Sequence, residues 1–186
     1  MRTFYEGREV LMNLLNQFII PVTGLKPGSH QYDFLIDDSF FEDFEYSEIR
    51  NGSIDLHLVI EKEENLLVFH FTFKGHLRVP CDRCAEPFDL PVEGNDRLIL
   101  KFGTDYHEED EEIQVVPVGE NHFDISPFIY EFIQLSQPVR KVHPDNENGE
   151  STCDPEAIRK LEDLERSSEP DPRWEVLSQL KKKFKQ

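Results

Sequence analysis

Between residues 54 and 102 apolar and polar residues alternate with a period of two. Ile54, Leu56, Leu58 and Ile60 alternate with Asp55, His57 and Glu61; after the polar EKEEN bend, Leu67, Phe69, Phe71 and Phe73 alternate with Val68, His70, Thr72 and Lys74. Such alternation marks strands with one buried face, so a hairpin is predicted here. The odd-numbered set runs on past Gly75 through Leu77 and Val79 to Cys81. The second strand is therefore long, with the glycine as its expected bend. After Cys84 the apolar positions become even: Phe88, Leu90 and Val92, then Leu98, Leu100 and Phe102. That change of parity places the cysteines in a turn between two strands.

On the N-terminal side, Phe18–Val22 and the period-two set Tyr32, Phe34 and Ile36 flank Gly24, Pro27 and Gly28, which reads as strand, turn, strand. Residues 37–50 mix Phe40, Phe41, Phe44 and Tyr46 with acids and fit either a short helix or a loop. Residues 105–112 are too acidic for a core and read as a loop, whereas Ile113, Val115 and Val118 predict a further strand. From Ser126, the expected N-cap, with Pro127 at the first helical position, SPFIYEFIQLS predicts a largely buried helix that ends before Pro138. Asp154-Pro155 and Asp171-Pro172 each predict a helix start, because aspartate caps free amides and proline loses nothing at the first position. The stripes that follow are Ile158, Leu161 and Leu164, then Trp174, Leu177, Leu180 and Phe184.

The fold class expected is α+β: a mainly antiparallel β-sheet core with one buried helix and C-terminal amphipathic helices. Residues 1–11 carry no apolar pattern, and Met12 before LLNQFIIPVTGL reads as a natural beginning. The expected division is an N-terminal extension over 1–11, a core domain over 12–140, and an acidic loop with helices over 141–186. With 186 residues, 15 of them Phe, the chain is long enough for one such core and too short for two large ones.

Charge narrows the functional classes. The formal net charge is −18, concentrated in residues 33–48, 105–112 and 145–171. Phosphate backbones are bound mainly through Lys and Arg that displace counterions, so a wide nucleic-acid footprint needs a basic face this composition does not supply. Acidic segments of this kind are either solvated loops or faces that hold a basic partner. The stretch from Lys74 to Lys101 has five basic and five acidic residues, which makes Lys74, Arg78, Arg83, Arg97 and Lys101 a candidate RNA-contacting patch; scattered strand-surface charge is the alternative. No run approaches a membrane span and no secretory pattern opens the chain, so a cytoplasmic protein is expected. Three cysteines make a poor disulfide framework, which suits a reducing compartment.

Cys81-Asp82-Arg83-Cys84 is the sharpest local signal. A two-residue spacer lets both thiolates face one metal ion, and it also permits a disulfide-exchange centre. An exchange centre sits at a helix start, whereas strand patterns lie on both sides here. Two buried or free turn cysteines are the third reading. Zinc, the candidate cofactor, requires four ligands; the two others available are His143 and Cys153, in the loop VHPDNENGESTC. Their separation is not that of a standard ligand pair. No phosphate loop, nucleophile elbow or metalloprotease helix occurs, so neither an enzyme nor a small-molecule substrate is expected.

Val79-Pro80-Cys81-Asp82-Arg83-Cys84, then Phe123-Asp124-Ile125-Ser126-Pro127, and finally Asp171-Pro172-Arg173-Trp174-Glu175-Val176-Leu177 together resemble the YceD-like family. The resemblance implies a role in synthesis, processing or stability of 23S ribosomal RNA, in bacteria and plastids, for proteins commonly encoded beside a small zinc-type protein of the large subunit. Many members carry further cysteines after the buried helix, where this chain keeps only Cys153 with His143 nearby. The partner implied is a large-subunit component, either a basic ribosomal protein or the 23S rRNA precursor, and the candidate contact residues are Arg78, Arg83, Arg97, Arg173 and Trp174. An acidic adaptor is the expectation. The alternatives are a zinc-knuckle nucleic-acid-binding regulator centred on Arg83 and a thiol-disulfide oxidoreductase.

Overall fold

The computed structural model describes residues 16–45 and 47–167. The expectations for residues 1–11, for Arg173 and Trp174 and for the helix from Asp171 lie outside them. The described chain forms two compact units: residues up to Pro80 together with Pro87–Lys141, and Cys81–Glu86 together with the residues from Val142 onward.

The first unit is built on a six-stranded sheet in the order β2-β3-β4-β5-β7-β6. Its strands are β2 (Gly28–Ile36), β3 (Asn51–Lys62), β4 (Leu66–Pro80), β5 (Pro87–Gly103), β6 (His107–Asp110) and β7 (Ile113–Pro117). A second, two-stranded sheet pairs β1 (Ile19–Ile20) with β8 (Phe123–Asp124). Among the described residues the α-helices are α1 (Asp38–Glu42) and α2 (Ser126–Leu135) in this unit and α3 (Pro155–Ser167) in the other. The α+β class is therefore as the alternation predicts.

Register follows from the apolar parity. Leu56 faces Phe73, Leu58 faces Phe71 and Ile60 faces Phe69 across β3 and β4. On the next strand Leu98 faces Phe69 and Leu100 faces Leu67. A shift of one residue would move this whole set to the solvent side, so burial specifies the pairing. The face so formed is covered by aromatic contacts: Phe132 of α2 meets Phe71 at 5.1 Å, Phe123 of β8 meets Phe69 at 5.8 Å, and Phe18 meets Phe34 at 5.3 Å. The other face keeps the polar partners, with rows such as Asp33, His57, Thr72 and Asn95. One packed face and one solvated face is the usual state of an antiparallel sheet.

Several details depart from the local reading. β1 pairs with β8 and not with β2, and it covers two residues of the expected Phe18–Val22 strand. The acidic run is not wholly a loop, because His107–Asp110 forms the edge strand β6. Every residue of β6 is exposed, so its carboxylates remain hydrated while its backbone pairs with β7. β7 lies parallel to β5, the one parallel pair of the sheet, and Val118 falls outside it at 78% exposure. Helix α2 buries only Ser126, Ile129 and Ile133, while Leu135 is 72% exposed. Ser126 is also not its cap: it lies in the first turn, and the Asp124 carboxylate accepts from its N–H at 2.9 Å and its hydroxyl at 2.7 Å. Gly75 does not break β4, which runs without interruption to Pro80.

Candidate metal centre

Cys81 and Cys84 belong to the turn that joins β4 to β5. The Cys81 N–H donates to the Glu86 carbonyl at 3.0 Å, the Ala85 N–H donates to the Cys81 carbonyl at 2.9 Å, and the Arg83 N–H lies 3.4 Å from the Cys81 sulfur. Ala85 closes the turn with φ 63°, a left-handed conformation that costs a residue with a Cβ roughly 1–2 kcal/mol. A tight turn paid for in this way keeps both sulfurs on a short arc of backbone.

The loop holding His143 and Cys153 is itself a small hairpin. Asp145 bridges Ser151 in antiparallel fashion, and one more step of two residues on each side sets His143 opposite Cys153. The tip is closed by Asn146, whose side-chain oxygen accepts from the amides of Asn148 at 3.0 Å and Glu150 at 2.9 Å, and by Gly149 at φ 78°. The Thr152 hydroxyl donates to the Pro144 carbonyl at 2.6 Å. Two residues ten apart in sequence thus become neighbours, as the Asn146–Gly149 turn chemistry midway between them foreshadows.

These two turns gather Cys81, Cys84, His143 and Cys153 so that their ligand atoms all lie within 4.8 Å of one another. The Cys81 and Cys153 sulfurs are 3.8 Å apart, and His143 Nδ1 lies 3.4 Å from the Cys84 sulfur and 3.8 Å from that of Cys153. A tetrahedral zinc with bonds of about 2.3 Å to sulfur and about 2.0 Å to nitrogen separates its ligands by about 3.5–3.8 Å. Three soft sulfurs with one imidazole also suit zinc and not magnesium or calcium. Donor set and spacing are therefore compatible with a closed zinc site using His143 Nδ1.

Electrostatics agree. Burial pushes the Cys81 thiol up, but backbone N–H groups of Cys84, Arg83 and His143, with the His143 side chain, outweigh it and bring the thiol down to about 6. The Ser151 hydroxyl pulls the Cys153 thiol down, but burial and the neighbouring Cys81 and Cys84 sulfurs leave it above its ordinary value. A low thiol pKa alone also suits disulfide exchange. Cys81, however, is 3% exposed and sits in a strand-to-strand turn, and Cys153 beside it is 6% exposed. Neither offers the accessible attacking sulfur at a helix start that exchange chemistry uses.

The family described as large ribosomal RNA subunit accumulation protein YceD matches residues 69–181. The chain belongs to the YceD family. No curated protein and no solved structure matches it. The matched span takes in all four residues of the cluster, and the family's description ties its members to accumulation of large-subunit rRNA rather than to a reaction. Among the described residues, no helix is long and apolar enough to cross a membrane.

In this YceD-family chain the five cations of the candidate RNA-contacting patch each have a partner among the described residues. Arg78 pairs with Asp89 at 3.0 Å, and Arg97 Nη2 and Nε reach the same Glu112 oxygen at 2.6 and 3.1 Å. Lys74 pairs with Glu93 at 3.3 Å and Lys101 with Glu109 at 2.8 Å. Arg83 donates to the Ser151 hydroxyl at 3.3 Å, tying the two turns of the cysteine cluster together. Sequence reasoning missed one feature of the first unit, a cleft of about 510 Å³ where Asp96 of β5, Glu111 and Glu131 of α2 converge. No local pattern could have revealed it, because the parallel pairing of β7 with β5 and the packing of α2 on β5 together assemble it.

Proposed function

We propose that this chain is a non-enzymatic ribosome-biogenesis factor that supports 23S rRNA synthesis, processing or stability in the cytoplasm as an acidic adaptor for a basic protein component of the large subunit. The observation that carries this reading is the pairing of Lys74, Arg78, Arg97 and Lys101 with carboxylates of the sheet and of the turn before β7. On a chain of net charge −18, a phosphate backbone would have to break those pairs before it gained a contact with any of these four cations. A basic protein meets complementary charge without that cost.

Zinc fits into this reading as a structural element. Bound by Cys81, Cys84, His143 and Cys153, it would tie the Cys81–Glu86 turn to the 142–153 hairpin and supply no reaction step. Affinity purification from growing cells, with and without nuclease, tests the adaptor. A basic large-subunit protein retained after nuclease is the expected result. Loss of every large-subunit component on nuclease treatment would show that RNA is the contact and the adaptor wrong.

A further inference from the structure

β5 is 17 residues long, yet β7 pairs with it only over Ile99–Gly103. From Pro87 to Leu98 its sole strand neighbour among the described residues is β4. An open strand edge is a template for an incoming extended chain. Part of this edge, Asn95–Arg97, forms one wall of the cleft of about 510 Å³.

Charge fills the rest of the lining. Asp96, Glu108, Glu111 and Glu131 face the cleft, while the lining's single cation, Arg97, is neutralised by Glu112. Burial, then the charge of Glu112, raises the Asp96 carboxyl above its usual range, as expected where carboxylates crowd without enough counter-charge. Beside Glu131, α2 contributes the apolar part of the lining: Phe132, and Leu135 at 72% exposure. Carboxylates around an apolar step, beside an open edge, favour one kind of occupant.

We propose that this cleft is a docking groove for an extended, lysine- and arginine-rich protein segment that carries an apolar anchor residue. The segment lies along the Asn95–Arg97 edge, its cations meet Glu108, Glu111 and Glu131, and its anchor covers Leu135. This rests on the adaptor reading above, since it names the surface on which the basic component sits.

Calorimetric titration of the full chain with a synthetic lysine-rich peptide containing one leucine tests the groove directly. Glu108→Lys/Glu131→Lys is expected to weaken the peptide by at least about tenfold. Glu63→Lys/Glu64→Lys, the same charge change in the β3–β4 bend, is expected to change it by less than about threefold. Leu135→Ser should also weaken binding, and unchanged melting curves establish that each variant is folded. Equal losses in both double variants would reduce the effect to net charge and overturn the proposal. So would self-association of the Glu108→Lys/Glu131→Lys variant with peptide binding intact, because the acids would then only guard the edge. Binding of a short single-stranded RNA in place of the peptide would overturn it as well, as would a wild-type dimer abolished by Leu135→Lys. In the nuclease-treated purification, a basic protein retained equally by wild type and Glu108→Lys/Glu131→Lys refutes the groove alone. Retention of none by wild type refutes the adaptor instead.

Discussion

At Gly75 the backbones of β3 and β4 leave no room for a side chain. A Cβ built there would collide with the Ser53 carbonyl oxygen and come within 2.6 Å of the Ile54 Cα, both backbone atoms that cannot turn aside. Gly75→Ala is therefore expected to cost roughly 2–4 kcal/mol of stability in urea unfolding. Gly24→Ala, where a Cβ meets nothing within 4 Å, should stay within about 0.5 kcal/mol. Similar losses in the two variants would show that the contact does not limit the sheet. The sequence marks Gly75 as special through its missing side chain, but the need for that space comes from the backbone of the neighbouring strand, which period-two patterning does not show. Asp38 offers a test of a different kind. Its carboxylate accepts from the Asn51 amide and from the Gly52 N–H, each at 2.9 Å, and these hydrogen bonds hold it below its usual pKa. With the folded-state value depressed, its contribution is fully present above the unfolded pKa and lost as pH falls through the folded one. The melting-temperature gap between wild type and Asp38→Ala should accordingly close as pH drops below about 4. A gap that stays constant down to pH 3 would mean that the charge state of Asp38 does not matter.

Elements were legible where their causes are local. Alternation alone yields β3, β4 and β5, and the Asp154-Pro155 signal is realised in α3, whose first amides, Glu156 and Ala157, donate to the Asp154 carboxylate at 3.2 and 3.0 Å. Asp154→Ala should cost this helix about 1 kcal/mol and speed hydrogen exchange at those two amides. Unchanged exchange would mean that the cap is not what orders the first turn. Partnership between distant segments left no such trace. Nothing in the Ile19–Ile20 pattern points to Phe123–Asp124, and the acids of His107–Asp110 conceal a strand whose backbone alone is engaged. The cysteine cluster lies between these cases, since Cys81 and Cys84 announce themselves by spacing while His143 and Cys153 meet only through the Asp145–Ser151 hairpin. Purified, tag-free protein is expected to carry about one zinc per chain, and Cys84→Ser to carry far less. Cobalt in place of zinc should give sulfur-to-metal charge-transfer absorption that fades in the same variant. Under about 0.2 zinc per chain in wild type would remove the metal from the site.

At the scale of the whole molecule, the question is whether −18 charges leave any face for RNA. Counting cations leaves it open, because the segment from Lys74 to Lys101 is neutral in sequence. Geometry sharpens the question: Lys74 and Arg78, both on the solvated side of β4, are held by Glu93 and Asp89 on β5. Glu93→Gln/Asp89→Asn releases both cations without touching the cysteine cluster or the acidic cleft. If the outer sheet face were the RNA contact, this variant would bind single-stranded RNA more tightly, and its salt slope would steepen by roughly 0.7 for each released cation. The adaptor reading gives the opposite expectation, because two extra cations cannot overcome the field of the remaining acids. Fluorescence anisotropy with labelled RNA between about 50 and 200 mM salt should show no binding by wild type and none by the variant. Steeply salt-dependent binding by wild type would return the function to direct RNA contact, and the pairs at Lys74 and Arg78 would then be the gate that phosphate opens.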